Sequence, residues 1–202
     1  MRLGTVTLAV ALLAGACAGG KGGHGSADTL PAPAPTTTTT AVSYAVPAEI
    51  DAVYVARVMQ ALDHVYGDAI RIMARDRAVT EPFLKHLLAI YTPRQFEVAQ
   101  EIWVKDLASG LNGLAPSPGD PITTVQSVVS SESACVLAAV AKDFQPTRSI
   151  PVKASPQRYV ALIPKLDERD PEHLNPTPWT ISFDGYVAEP AGAVPEKPCA
   201  VS

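Results

Sequence analysis

The sequence predicts an α+β domain in which N-terminal helices pack on an antiparallel sheet of about four strands. Three observations lead there. Apolar residues recur in steps of three and four from Pro47 to Asp76. Two helix-start signatures follow, Thr80-Glu81-Pro82 and Thr92-Pro93-Arg94-Gln95. From Ile122 onward the chain becomes β-branched and alternating.

The first helix is amphipathic. Ile50, Tyr54, Val58, Leu62, Val65, Ala69, Ile72 and Met73 form an apolar stripe, with Asp51, Arg57, Gln60, Asp63 and Arg71 on the wet side. Gly67 interrupts it at a cost of about 1 kcal/mol relative to alanine, which marks close packing or a kink. Thr80 as cap and Pro82 in the first turn start a second helix through FLKHLLAIY. Thr92, Pro93 and Gln95 make a capping-box arrangement for a third. It runs through the apolar residues Phe96, Ala99, Ile102, Trp103 and Leu107, and Gly110 is placed to end it.

ITTVQSVVS and ACVLAAVAKDF, separated by Ser-Glu-Ser, read as a hairpin, and RYVALIP as a third strand. A polar segment, KLDERDPEHLNPTP, leads to the last strand, and its first part, KLDERDPEH, reads as a solvated loop because its mixed charges lack calcium-loop spacing. The last strand, WTISFDGYV, alternates. Trp179, Ile181 and Phe183 share one face and Thr180, Ser182 and Asp184 the other, as a sheet with one buried face requires.

The N-terminus has a different logic. Met1-Arg2, an apolar run from Leu3 to Leu13 and then Ala14-Gly15-Ala16 describe a secretory signal over residues 1–16. The run is shorter than the roughly 20 apolar residues a bilayer span needs. Leu13-Ala14-Gly15-Ala16-Cys17 resembles the lipobox of bacterial lipoproteins, though with Leu four residues before the cysteine. The resemblance implies a diacylglyceryl thioether on Cys17 and a place on the outer face of the cell membrane. Plain cleavage with secretion is the alternative. Residues 17–46 are Gly-rich, then Pro/Ala-rich, then threonines, and read as a disordered linker unable to offset chain entropy. The domain proper spans 47–189 and a Pro-rich tail 190–202. The chain has three cysteines. If Cys17 carries lipid, Cys135 and Cys199 remain as an even pair for a disulfide in oxidising surroundings, tying the tail to the body.

A net charge of −4, 18% charged residues and no Lys/Arg cluster exclude a nucleic-acid binder. No CxxC or HxxxH pair supplies zinc ligands, and no cofactor is expected. The order of elements over most of Pro47–Glu189 resembles the nuclear-transport-factor-2-like (NTF2-like) cone, a curved antiparallel sheet wrapping a long N-terminal helix. In particular it resembles small exported proteins of GC-rich Gram-positive bacteria with that fold. It departs from the cone in lacking a clear strand between the helices, and a plain helical layer on a four-stranded sheet is the alternative architecture.

Enzymes of the cone family keep acid/base residues inside the cone, but their motifs have no match here. Candidate pocket residues are therefore chosen on their own chemistry. In ALDHVYGDA, His64 suits proton transfer near neutral pH, with Asp63, Tyr66 and Asp68 near enough in sequence to tune it. Asp143 and Asp184 are the carboxylates nearest expected buried surface. Tyr159, Trp179 and Tyr186 supply aromatic lining. Each has a plainer reading: His64 and Asp68 pairing on the helix surface, Asp184 in a bulge before Gly185, aromatics as core. His86 and His173 read as surface residues. The function expected is a non-catalytic binding or accessory protein of the cell envelope, taking a small apolar ligand or another envelope protein. The alternative is an exported cone-fold isomerase or dehydratase using a pocket Asp or His.

Overall fold

Asp51 sets where the first helix begins, its carboxylate accepting the Tyr54 N–H at 2.7 Å. Helix α1 then runs Ala52–Asp76 and stops at Arg77, which adopts a left-handed conformation and donates its N–H to the Met73 carbonyl. This is a computed structural model describing residues 43–153, 157–186 and 197–199. The expected signal segment, Cys17, the linker up to residue 42 and most of the tail lie outside the described residues.

Helices α2 (Glu81–Ile90) and α3 (Pro93–Ala108) follow, then strands β1 (Ile122–Glu132), β2 (Cys135–Asp143), β3 (Arg158–Pro164) and β4 (Trp179–Gly185). Among the described residues the four strands form an open antiparallel meander in the order β1-β2-β3-β4, and the domain is α+β as expected. The core lies between the helices and one sheet face. Val58, Met59, Leu62 and Ile70 of α1 and Phe83, Leu87 and Ile90 of α2 pack with Val136, Ala138, Val160, Leu162, Trp179 and Ile181. A polar chain pins the layers together. The Trp179 indole donates to the Tyr54 hydroxyl at 2.9 Å, and that hydroxyl donates to the Tyr44 carbonyl at 3.1 Å. Tyr44, expected in the linker, packs against the body instead.

Gly67 marks close packing. A Cβ there would meet Asp120 Oδ1 at 2.0 Å and the Asp120 Cα at 3.1 Å. Asp120 is gripped from the same helix by Arg71 at 2.7 Å and His64 at 2.8 Å. Gly67→Ala should therefore destabilise the domain by about 1–2 kcal/mol, overpacking outweighing alanine's better helix propensity. Urea unfolding checks this, and a variant as stable as the parent would show that the loop yields freely.

Four local expectations are corrected, each by tertiary contacts. The capping box does not form. Thr92 makes no side-chain cap, and its buried hydroxyl has no partner among the described residues. The Thr92 N–H donates to the Ile181 carbonyl at 3.0 Å, and Tyr91 pairs in parallel with Ile181. The sheet edge thus claims the α2–α3 junction, supplying a single bridge where the sequence shows no strand. Ile102 is 52% exposed, so α3 buries only Ala99 and Trp103.

KLDERDPEH is not simply solvated. Asp170 within it is buried, as are Asn175 and Thr177 in the polar segment that follows. Asp170 accepts the Leu174 and Asn175 N–H groups and pairs with Lys165 at 2.8 Å, while the Asn175 amide donates to Ala89 and Trp179 carbonyls. A loop that crosses the core must satisfy its polar groups internally. His173 is exposed, and His86 bonds the Pro82 carbonyl on its own helix.

The fourth correction positions the site. In β4, Phe183 lies opposite Ala161 but Ile181 lies opposite Leu162, so Ser182 is an extra residue and the strand bulges. Alternation restarts on the other parity. Phe183 joins Leu137, Ala139, Tyr159 and Ala161 on the outer face, with Cys199 packed against them. Asp184, opposite Val160, turns to the helix side. Cys135 and Cys199 are joined by a disulfide, with their Cα atoms 5.8 Å apart. The bridge brings the tail onto that outer face, where the Ser182 hydroxyl donates to the Pro198 carbonyl at 2.8 Å.

Candidate functional site

Inward parity on each strand end brings charge beneath α3. Lys142 follows Val140 at the end of β2, Arg158 begins β3 opposite Val140, and the bulge adds Asp184. Between these groups and the helices lies a cavity of about 200 Å3. Its helical wall is aromatic and apolar, made by Tyr66, Ile70, Tyr91, Ala99 and Trp103, with Val98 and Ile102 at the exposed rim. The Trp103 indole donates to the Tyr66 oxygen at 3.1 Å, and the Tyr66 and Tyr91 rings meet edge to face at 6.2 Å. Arg148 and Asp106, 3.5 Å apart, complete the lining.

The charged floor is a buried network. Lys142 Nζ lies 2.6 Å from Asp184 Oδ2 and 4.0 Å from Asp63 Oδ1, and Arg158 Nη2 lies 2.8 Å from Asp184 Oδ1. The side chains of Lys142, Asp184 and Asp63 are only 4%, 7% and 6% exposed, so these pairs sit outside the range of surface screening. Asp63 also accepts the Thr123 N–H at 2.8 Å and its hydroxyl at 3.0 Å. Burial pushes the Asp63 carboxyl up to about 6, against the pull of Lys142 and Thr123. Burial likewise raises the Tyr66 hydroxyl to about 12, against the Trp103 hydrogen bond, and raises Tyr91 well above its usual value.

The Asp63 shift predicts a pH dependence. A carboxyl whose folded value exceeds its ordinary 3.8 binds its proton more tightly in the native state. Its stabilising contribution is full below about pH 4 and is lost as pH rises through about 6. The stability difference between the parent and Asp63→Asn should thus shrink by about 3 kcal/mol from pH 3.5 to pH 7.5, at about 1.4 kcal/mol per pKa unit. Urea unfolding across that range measures it. A difference that grows with pH would show that Asp63 is stabilised as the anion.

Of the sequence-predicted pocket residues, Tyr66 and Asp184 line the cavity. The others lie elsewhere. His64 is exposed and pairs with Asp120 and, at 3.9 Å, with Asp68. Asp143 has the outward parity of β2, and its exposed carboxylate accepts the Gln145 N–H at 2.8 Å. Tyr159 packs on the outer sheet face and Trp179 in the core. Tyr186 is half exposed beneath the Arg158 guanidinium, 4.9 Å from its ring centre.

Lys142, Arg158, Tyr91, Gln95 and Trp103 are not singled out as site residues by the sequence, and Asp63, expected beside His64 on the wet side of α1, is buried. Two left a signal. Lys142 is the lone cation in an apolar strand, at the inward parity. Asp63 lies four residues after Met59, three before Tyr66 and seven before Ile70, on the buried stripe rather than the wet side. Among the described residues no cluster of His, Cys, Asp and Glu could hold a metal ion. No protein-family model, curated protein or solved structure matches this chain.

Proposed function

We propose that this chain is a non-catalytic binding protein of the cell envelope that holds a small molecule between α3 and the sheet. It is exported and anchored through lipid on Cys17. The observation that carries the binding reading is the cavity itself, with an aromatic wall on one side and buried charge on the other. Small-molecule sites are concave, mostly apolar and furnished with a few fixed polar groups. No helix among the described residues is long and apolar enough to cross a membrane, so the proposed attachment rests on Cys17 alone. The NTF2-like likeness belongs to this proposal. The helix-then-sheet order and the Tyr91–Ile181 bridge support it.

The binding reading is preferred to the enzyme because the three residues nominated for acid/base work do not converge. His64 and Asp143 face solvent, and both oxygens of Asp184 are covered by cations. A general base needs reach to the proton it removes.

Native mass spectrometry of the protein purified from its own membranes should find a non-covalent small molecule. Ala99→Phe, which fills the cavity, should abolish its retention. Retention unchanged in that variant would overturn the binding site. An N-terminal peptide that lacks acyl mass, or that starts after Cys17, would overturn the anchor.

A further inference from the structure

The ligand's chemical class can be read from the hydrogen-bonding capacity the fold leaves unused. The Tyr66 oxygen already accepts the Trp103 indole N–H, so its own proton is free to donate. Gln95 Oε1 accepts the Asp184 N–H at 3.3 Å, which leaves its amide nitrogen as a donor toward the cavity it lines. Tyr91 lines the same cavity, and Arg158 Nε, also on the lining, is a buried donor with no hydrogen-bond partner among the described residues. Both tyrosines are held neutral by burial and remain donors.

The lining acceptors are fewer. Asp184 Oδ2 accepts from Lys142 at 2.6 Å, and Oδ1, which makes no hydrogen bond, lies 2.8 Å from the Arg158 guanidinium. Thr147, whose proton goes to the Phe144 carbonyl at 2.8 Å, keeps only the lone pairs of a neutral hydroxyl. The lining cations, Lys142, Arg148 and Arg158, outnumber the lining carboxylates, Asp106 and Asp184. Asp63 stands behind Lys142 and does not line the space. A cavity with spare donors and surplus positive charge favours an acceptor-rich anion, because hydrogen bonds to a charged acceptor are the strong ones.

We infer that the cavity binds a small organic monocarboxylate, its carboxylate toward Tyr91, Gln95 and the Lys142/Arg158 end and its apolar or aromatic body against Trp103. About 200 Å3 accommodates on the order of ten non-hydrogen atoms at interior packing density. The exposed Val98 and Ile102 at the mouth give the body an apolar path in. The inference rests on the proposed binding reading and narrows it from any small molecule to one charge class.

Calorimetric titration of the full-length, oxidised chain with benzoate and phenylacetate, beside benzyl alcohol and benzylamine, tests it. Two-dimensional NMR of the Trp103 indole N–H reports occupancy of the cavity. The carboxylates should bind saturably and at least about tenfold more tightly than the neutral and cationic probes, the size of a charge-assisted hydrogen bond. Tyr91→Phe, which removes one donor and keeps the ring, should weaken benzoate about fivefold and leave benzyl alcohol within about twofold. Benzyl alcohol or benzylamine binding as well as the carboxylates would overturn the charge-class assignment but keep the cavity site, as would Tyr91→Phe without effect on benzoate. If no probe shifts the Trp103 resonance, or if Ala99→Phe binds benzoate as the parent does, the cavity reading falls together with this one.

Discussion

Lys142→Met will destabilise the domain by about 3–5 kcal/mol at pH 7.5, the cost of leaving a buried charge without its partner. The ammonium of Lys142 lies between two carboxylates that have almost no access to water. Without it, Arg158 alone would face Asp184, and Asp63 would keep only its Thr123 hydrogen bonds. The deficit should depend on pH in a definite sense. Lys142 is the strongest influence holding the Asp63 carboxyl down against burial, so its removal raises that group further. At pH 4 Asp63 is protonated and the loss is smaller; as pH rises, the carboxylate must either ionise unpaired or retain its proton. Adding Asp63→Asn to Lys142→Met should restore part of the stability at pH 7.5, since the orphaned charge is then gone. Urea unfolding at the two pH values decides. A deficit under about 1 kcal/mol at pH 7.5 would place the network in effective contact with solvent.

Loss of the disulfide should have the next largest effect. Cys135 and Cys199 close a loop with a sequence separation of 64, for which chain-entropy arguments give about 4 kcal/mol. For a chain of this length each kcal/mol is worth about 2–4 °C, so Cys199→Ser or reductant should lower Tm by about 10 °C. A second consequence comes from the packing. Leu137, Ala139 and Ala161 are buried on the outer sheet face, and Cys199 is among the groups packed there. Releasing the tail should expose this patch and increase binding of a hydrophobic dye below the melting transition. Scanning calorimetry with and without reductant measures the first effect. A shift under about 2 °C would show that the tail stays docked without its bond.

Much of the architecture was legible because it depends on local periodicity. All three helices and all four strands lie close to where spacing, caps and β-branched runs put them, and Gly110 ends α3 as expected, with a φ of 81°. The cysteine pairing followed from counting. The candidate site was legible only in Tyr66 and Asp184. Tyr66 is three residues after Asp63 and four before Ile70, on a stripe that helix geometry turns inward. Asp184 was named as near buried surface, yet strict alternation placed it opposite Trp179, on the solvent side. His64 was chosen for its chemistry, but its position on α1 directs it to the loop around Asp120.

By itself the sequence determined the α+β class, the order of elements and the Cys135–Cys199 pair. These follow from composition and from repeats within one element, which a chain carries wherever it folds. Only the tertiary structure decided that Ser182 bulges, that Asp184 and Phe183 exchange faces, and that Lys142, Asp63, Arg158 and Tyr91 meet. The reason is physical. A one-residue bulge is settled by how two strands pair across the sheet, and a buried charge is tolerated only where partners distant in sequence converge on it, as Asp63, Lys142 and Asp184 do.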